Sequence, residues 1–189
     1  MTRGARPALK VDVVVQSDHW RIRTASVIVR RAVSRAAATL STRPTELAIV
    51  LTDDPTIRAL NRDWRGIDAA TNVLSFATKN AGGRHLGDIV LAYETIVREA
   101  RRERKPLAHH LAHLAVHGFL HLVGYDHDSE KEALAMEGAE CAILRQLAIP
   151  DPYRARGRNN VGHPARQPAK PTTSVVCHRG ILSKIKDLS

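Results

Sequence analysis

The chain has two cysteines in 189 residues, Cys141 and Cys177, and they form no CxxC pair. That excludes a disulfide-built scaffold and a thiolate metal site. Nor does any run approach the roughly 18 apolar residues that a membrane-spanning helix requires. The N-terminus is basic (Arg3, Arg6, Lys10), but the apolar run that follows, Val11–Val15, is interrupted by Asp12. It is too short for the core of a secretion signal. Both absences point to a cytoplasmic protein that does not enter a membrane. No internal repeat is visible. Acid is missing from one end: residues 154–189 carry eight Lys or Arg against the single Asp187, so +7 of the chain's net +10 lies there. Only the remaining +3 belongs to residues 1–153, and the high isoelectric point says little about the folded part. The tail could hold a polyanion, but its Gly, Asn, Pro and Thr with little periodicity read more simply as a solvated, disordered extension.

What is present is the composition of one well-cored domain, 43% hydrophobic and 25% charged. Strands are expected at Leu9–Gln16, Glu46–Thr52, Asn72–Phe76 and Leu86–Ala92, where β-branched and aliphatic residues cluster between polar turns. A turn at 80–84 separates the last two. Helices are expected at Arg23–Leu40, with a stripe of Val27, Ile28, Val33, Ala37 and Leu40, and from Asp53 or Asp54 to about Asp63, opened by Pro55. Three more follow: Glu94–Lys105, Pro106 to about Val123, and Ser129–Leu147, where Ser129 and Glu132 form a capping-box pattern. The order predicts one α+β domain over residues 1–153, a small four-stranded mixed sheet packed by helices, rather than a doubly wound sheet. Residues 154–189 form the basic tail.

The richest segment is His117-Gly-Phe-Leu-His121-Leu-Val-Gly-Tyr-Asp-His127. His117 and His121 are four apart and so share one helix face, about 6 Å apart along the axis. Gly124 can end the helix in a left-handed conformation, and His127 can then return to the same point. A lone His on an apolar helix is usually a core or surface residue. Three in this arrangement, on the most apolar helix of the chain, instead suggest one metal ion bound by His117, His121 and His127 with an open fourth position, as in a catalytic zinc site. His109 and His113 continue the stripe, but each step climbs the helix by about 6 Å, so His113 is expected to be structural or to support a ligand. His110 lies off the stripe and reads as solvated. Asp126 could fix the His127 tautomer or simply make the turn.

In HExxH peptidases the residue after the first His is the Glu that serves as base. Here it is Gly118, read as leaving the open coordination position bare. A peptidase therefore loses its base, and the chemistry must rely on a metal-activated nucleophile and cationic stabilisation. A source of the latter lies in Leu60-Asn61-Arg62-Asp63-Trp64-Arg65-Gly66-Ile67-Asp68 and the following Thr71–Phe76 stretch. Arg65, in a loop leading to a strand, is placed to grip a phosphate with both prongs of its guanidinium. Trp64 could stack on a base but is more often core. Asn72 and Ser75 could line the cleft, and Gly87 suggests a close backbone approach.

These motifs, with LGDIVL at 86–91 and the ME…IL…L…PDPY pattern at 136–153, resemble the YbeY family of bacterial endoribonucleases and rRNA maturation factors, over about residues 10–153. The resemblance implies a zinc-dependent, single-strand-specific endoribonuclease with one Zn²⁺ per chain. It would act in maturation of the small-subunit rRNA 3′ end and in ribosome quality control. It implies single-stranded RNA or rRNA as partner, together with the ribosome or its small subunit and associated factors. By position, His117, His121 and His127 look like the zinc ligands and Arg65 like the basic residue of the cleft implicated in RNA cleavage. Two other classes remain open at this point: a zinc-containing rRNA-binding or assembly factor with little activity, and a zinc hydrolase of another substrate. Either an activated water or a ribose 2′-hydroxyl can serve as the nucleophile.

Overall fold

The computed structural model describes residues 9–20, 22–41, 46–78, 85–154 and 174–177. The expected turn at 80–84 and most of the tail lie outside the described residues. The chain order is β1 (Lys10–Val15), α1 (Ile22–Thr39), β2 (Glu46–Thr52), α2 (Asp54–Arg65), β3 (Val73–Thr78), β4 (His85–Ala92), α3 (Tyr93–Arg102), α4 (Leu107–Leu122), α5 (Glu130–Gln146) and β5 (Ser174–Cys177).

All four expected strands form and pair in one mixed sheet of order β1-β2-β4-β3-β5. β1, β2 and β4 run parallel, and β3 is antiparallel to β4. β5 is a fifth strand that the reading of 154–189 as a disordered extension did not anticipate. It pairs parallel with β3, Ser75 opposite Ser174 through Thr78 opposite Cys177. The physical reason is the open edge of β3, whose free backbone groups a β-branched Ser-Val-Val-Cys segment can satisfy.

Alternation along the strands sorts their side chains to two faces. Leu47, Ile49, Leu51, Val73, Ile89 and Leu91 join the larger core with α1, α4 and α5. Val50, Leu74, Phe76, Val90 and Ala92 face the other way, onto Ile57 and Leu60 of α2. Because both faces are covered, β2 and β4 carry the unbroken apolar runs Leu47–Leu51 and Ile89–Ala92. The α1 stripe is rotated from the expected one: Val29, Ala32, Val33 and Ala36 are buried, while Val27 is 63% exposed. Small alanines let α1 approach its neighbours, and that close packing outweighed the larger but outward-facing Val27.

Caps fall where the sequence put them. The Asp53 side chain accepts the Thr56 N–H at 3.0 Å. Ser129 and Glu132 form the reciprocal capping box of α5. Gly87 does mark a close approach: at φ +143°, a β-carbon there would lie 2.1 Å from the Phe76 carbonyl oxygen. Gly118 is a different matter. A β-carbon on it would meet Ile89 Cγ2 at 2.8 Å and Ser75 Oγ at 3.1 Å. Its bareness lets α4 press onto β3 and β4, so the expectation that it serves the coordination position is corrected. Ser75 is likewise not in a cleft; it is fully buried and donates to the Gly118 carbonyl at 3.2 Å. No helix among the described residues is long and apolar enough to cross a membrane.

Candidate metal centre and cleft

α4 is amphipathic in an unusual sense: its buried side meets the sheet and its other side carries imidazoles. His117 and His121 project from its last two turns. The helix ends at Leu122, and Gly124 adopts φ +94°, with the Tyr125 N–H returning to the Leu120 carbonyl at 3.0 Å. This reversal brings His127 back. The His127 backbone N–H donates to the Asp126 carboxylate at 2.8 Å, so Asp126 shapes the turn.

One ring nitrogen from each of His117, His121 and His127 lies within 4.8 Å of the others. His117 Nε2 and His121 Nε2 are 3.2 Å apart. Two nitrogens bound tetrahedrally to one zinc at 2.0–2.1 Å would be separated by about 3.3 Å, so this spacing fits a shared ion. Burial, then the neighbouring His117 and His127, push the His121 pKa down to about 3. That favours the neutral imidazole a metal needs. His121 is 3% exposed, whereas His117 and His127 are half-buried and open onto a cleft.

Sequence reasoning missed the residue behind His117. Glu140 of α5, 1% exposed, takes His117 Nδ1 at 2.8 Å on Oε1 and His113 Nε2 at 3.1 Å on Oε2. The Tyr153 hydroxyl also donates to Oε2. Burial alone would raise the Glu140 carboxyl; the hydrogen bonds and charge of His113 and His117 outweigh it and hold the group well below the usual carboxylate range. The same carboxylate, after burial, raises the Tyr153 phenol, which therefore stays a donor. A signal was present: Met136, Glu140, Ile143 and Leu144 share the buried face of α5, and an acid in an apolar register needs partners. His113 is held by Glu140, in keeping with its expected supporting role. His110 is not solvated as expected. It is buried, with Nε2 3.0 Å from Glu99 Oε2, because α3 crosses that side of α4.

The cleft holds about 590 Å³ and is lined by Arg65, Asn72, Glu99, His113, His117 and His127 among others. Arg65 is the last residue of α2, which runs two residues further than expected. Gly66, at φ +69°, then closes the helix in a left-handed turn and donates to the Arg62 carbonyl at 2.9 Å. The loop beyond is pinned by the two-pronged Arg58–Asp68 pair at 2.8 Å and by Asn61 Nδ2 donating to the Ala69 carbonyl at 2.8 Å. Burial draws the Arg65 guanidinium below its ordinary value, yet so strong a base remains charged at neutral pH. Asn72 does line the cleft, and donates to Glu99 at 2.8 Å. Trp64 instead packs edge-on against Phe76.

An α+β domain with an imidazole triad on a helix and its following turn, opening onto a cleft that also holds a guanidinium, has the layout of a metallohydrolase. The family model for Endoribonuclease YbeY matches residues 13–148. Endoribonuclease YbeY of Nitrobacter winogradskyi is 51% identical over 164 residues, covering 81% of this chain and 85% of that one. Endoribonuclease YbeY of Rhodopseudomonas palustris strain BisB18 is 50% identical over 170 residues, covering 85% of this chain and all of its own length. The solution structure of TM1509 from Thermotoga maritima aligns over 82% of this chain and 99% of its own, with 17% identity and a TM-score of 0.49. The chain belongs to the YbeY family of endoribonucleases.

Proposed function

We propose that this protein is a cytoplasmic, zinc-dependent, single-strand-specific endoribonuclease that acts in rRNA processing, at the 3′ end of the small-subunit rRNA, and in ribosome quality control. Residues 1–153 would form the catalytic domain and 154–189 a basic extension. His117, His121 and His127 would hold one Zn²⁺. The observation that carries the reading is that Arg65, from the end of a helix packed on the opposite face of the sheet from α4, lines the same cleft as His117 and His127.

Bound there, zinc would supply a Lewis acid that makes a nearby oxygen nucleophile available at neutral pH. The protein's own residues do the rest. Arg65 offers planar donors to the non-bridging oxygens of a phosphodiester as negative charge builds on them. Its helix-end position and the pinned 66–70 loop hold that guanidinium in place before substrate arrives. Single-stranded and duplex rRNA fragments, with casein as a control, should be incubated with the purified protein with and without chelator. Cleavage of the single strand alone, abolished by chelator and restored by Zn²⁺, is expected. Casein hydrolysis, or RNA cleavage indifferent to chelator, would overturn the assignment. Mapping rRNA ends that accumulate on depletion tests the ribosomal role.

A further inference from the structure

The carboxylate behind the triad does more than fill the core. We propose that Glu140 is a positioning residue for the metal centre. Its two oxygens divide between His117 and His113, and the Tyr153 hydroxyl closes the network, so that the His117 Nε2 lone pair is held toward His121 and His127. This rests on the metal reading above.

The geometry leaves little freedom. With Nδ1–H donated to Glu140 Oε1 at 2.8 Å, His117 carries its proton on the nitrogen facing α5, and the other nitrogen is the one 3.2 Å from His121 Nε2. A carboxylate partner both fixes a ligand's tautomer and makes it a better donor to a cation. The second oxygen is occupied by His113 at 3.1 Å and by Tyr153. The carboxylate therefore cannot swing away from His117 without abandoning both. His113, a helical turn before His117, is thereby tied to the same carboxylate rather than to the triad. Tyr153 lies beyond residue 148, where the matched family segment ends. It is held over the site by its own contacts: the Tyr153 N–H donates to Asp151 at 2.8 Å, Lys105 Nζ donates to the Pro152 carbonyl at 3.1 Å, and the phenol ring meets His113 edge-on at 5.8 Å. The close of the domain thus contributes one donor to the carboxylate that orients the ligand.

The test is Zn²⁺ affinity, measured by competition with a chromophoric chelator, in the full-length protein. Glu140→Gln keeps shape and removes charge; it should bind Zn²⁺ roughly 10–100-fold more weakly, the usual consequence of losing such a partner. Tyr153→Phe should lose affinity in the same direction but less. Ile143→Val, in the same buried face of α5, serves as the control for destabilisation and should leave affinity unchanged. In proton NMR of the metal-free protein, the His117 Nδ1–H resonance should be slow to exchange in the wild type and shift upfield in Glu140→Gln. If Glu140→Gln fails to fold, Tyr153→Phe decides alone. Wild-type affinity in both variants, or losses no greater than that of Ile143→Val, would overturn the proposal while sparing the metal reading. A wild-type protein that binds no Zn²⁺ would overturn both.

Discussion

Replacing Arg65 with Ala should abolish most cleavage of single-stranded RNA without unfolding the protein. The magnitude follows from where the side chain sits. Arg65 is half-buried in a cleft wall rather than free in water. A unit charge about 4 Å from a phosphoryl oxygen is worth roughly 4 kcal/mol at an effective dielectric constant of about 20, against about 1 kcal/mol in bulk water. The part of that stabilisation specific to the transition state corresponds to a loss of about 10²–10³ in rate, as for other preorganised charge-stabilising groups. A surface arginine of no mechanistic importance would cost less than about tenfold, so the two cases are separated by an order of magnitude. Arg65→Lys should also be impaired, because an ammonium is a point charge and cannot make the planar two-pronged contact. The assay is a cleavage time course, with metal content and thermal melting measured on the same preparations. Near-wild-type cleavage by Arg65→Ala would refute the phosphate role. Lost activity accompanied by lost zinc or a lowered melting temperature would show instead that Arg65 holds the helix end and its loop together.

His127→Ala should lose Zn²⁺ and His113→Ala should retain it, by metal analysis of the purified variants; full occupancy in His127→Ala would sink the three-ligand arrangement. Gly118→Ala should lower stability by about 1–3 kcal/mol in urea unfolding, since its methyl must displace Ile89 or Ser75, while Zn²⁺ stoichiometry stays at one. The metal-free protein should weaken on acidification: His121 is held neutral with a pKa near 3, so its contribution is full above about pH 6.5 and falls as the pH drops toward 3. His85 has the opposite sign, because its hydrogen bond to Asp88 raises its pKa; that contribution is full below about pH 6.5 and disappears as the pH rises through the raised value, and His85→Gln should flatten the alkaline side of a stability-versus-pH curve. Truncation after Tyr153 should leave a cooperatively folding, metal-binding domain that melts somewhat lower, because β3 loses its β5 neighbour; loss of the cooperative transition would make the tail part of the core.

Local signals in the sequence were enough for every element of residues 9–147. Asp53, Pro55, Ser129 and Glu132 mark helix starts because their side chains satisfy or dispense with backbone N–H groups within one turn. The triad was legible for the same reason: a helical repeat of four, a left-handed glycine and a short return involve only eleven residues. Anything that depends on which distant element lies alongside was not. Glu140 is 23 residues from His117, and only the packing of α5 on α4 makes it that histidine's partner. His110 was misjudged because α3, carrying Glu99, crosses it. Gly118 was read as baring the coordination position and Ser75 as a cleft residue, when the sheet claims both. The pairing of β5 with β3 joins segments about a hundred residues apart. Sequence alone determined the local conformations and the chemical kinds of residue at the site, because hydrogen bonds and periodicities within a few residues specify them. Tertiary structure decided which side chains meet, because burial makes an unpartnered carboxylate or imidazole costly and so selects the long-range packing that supplies its partner.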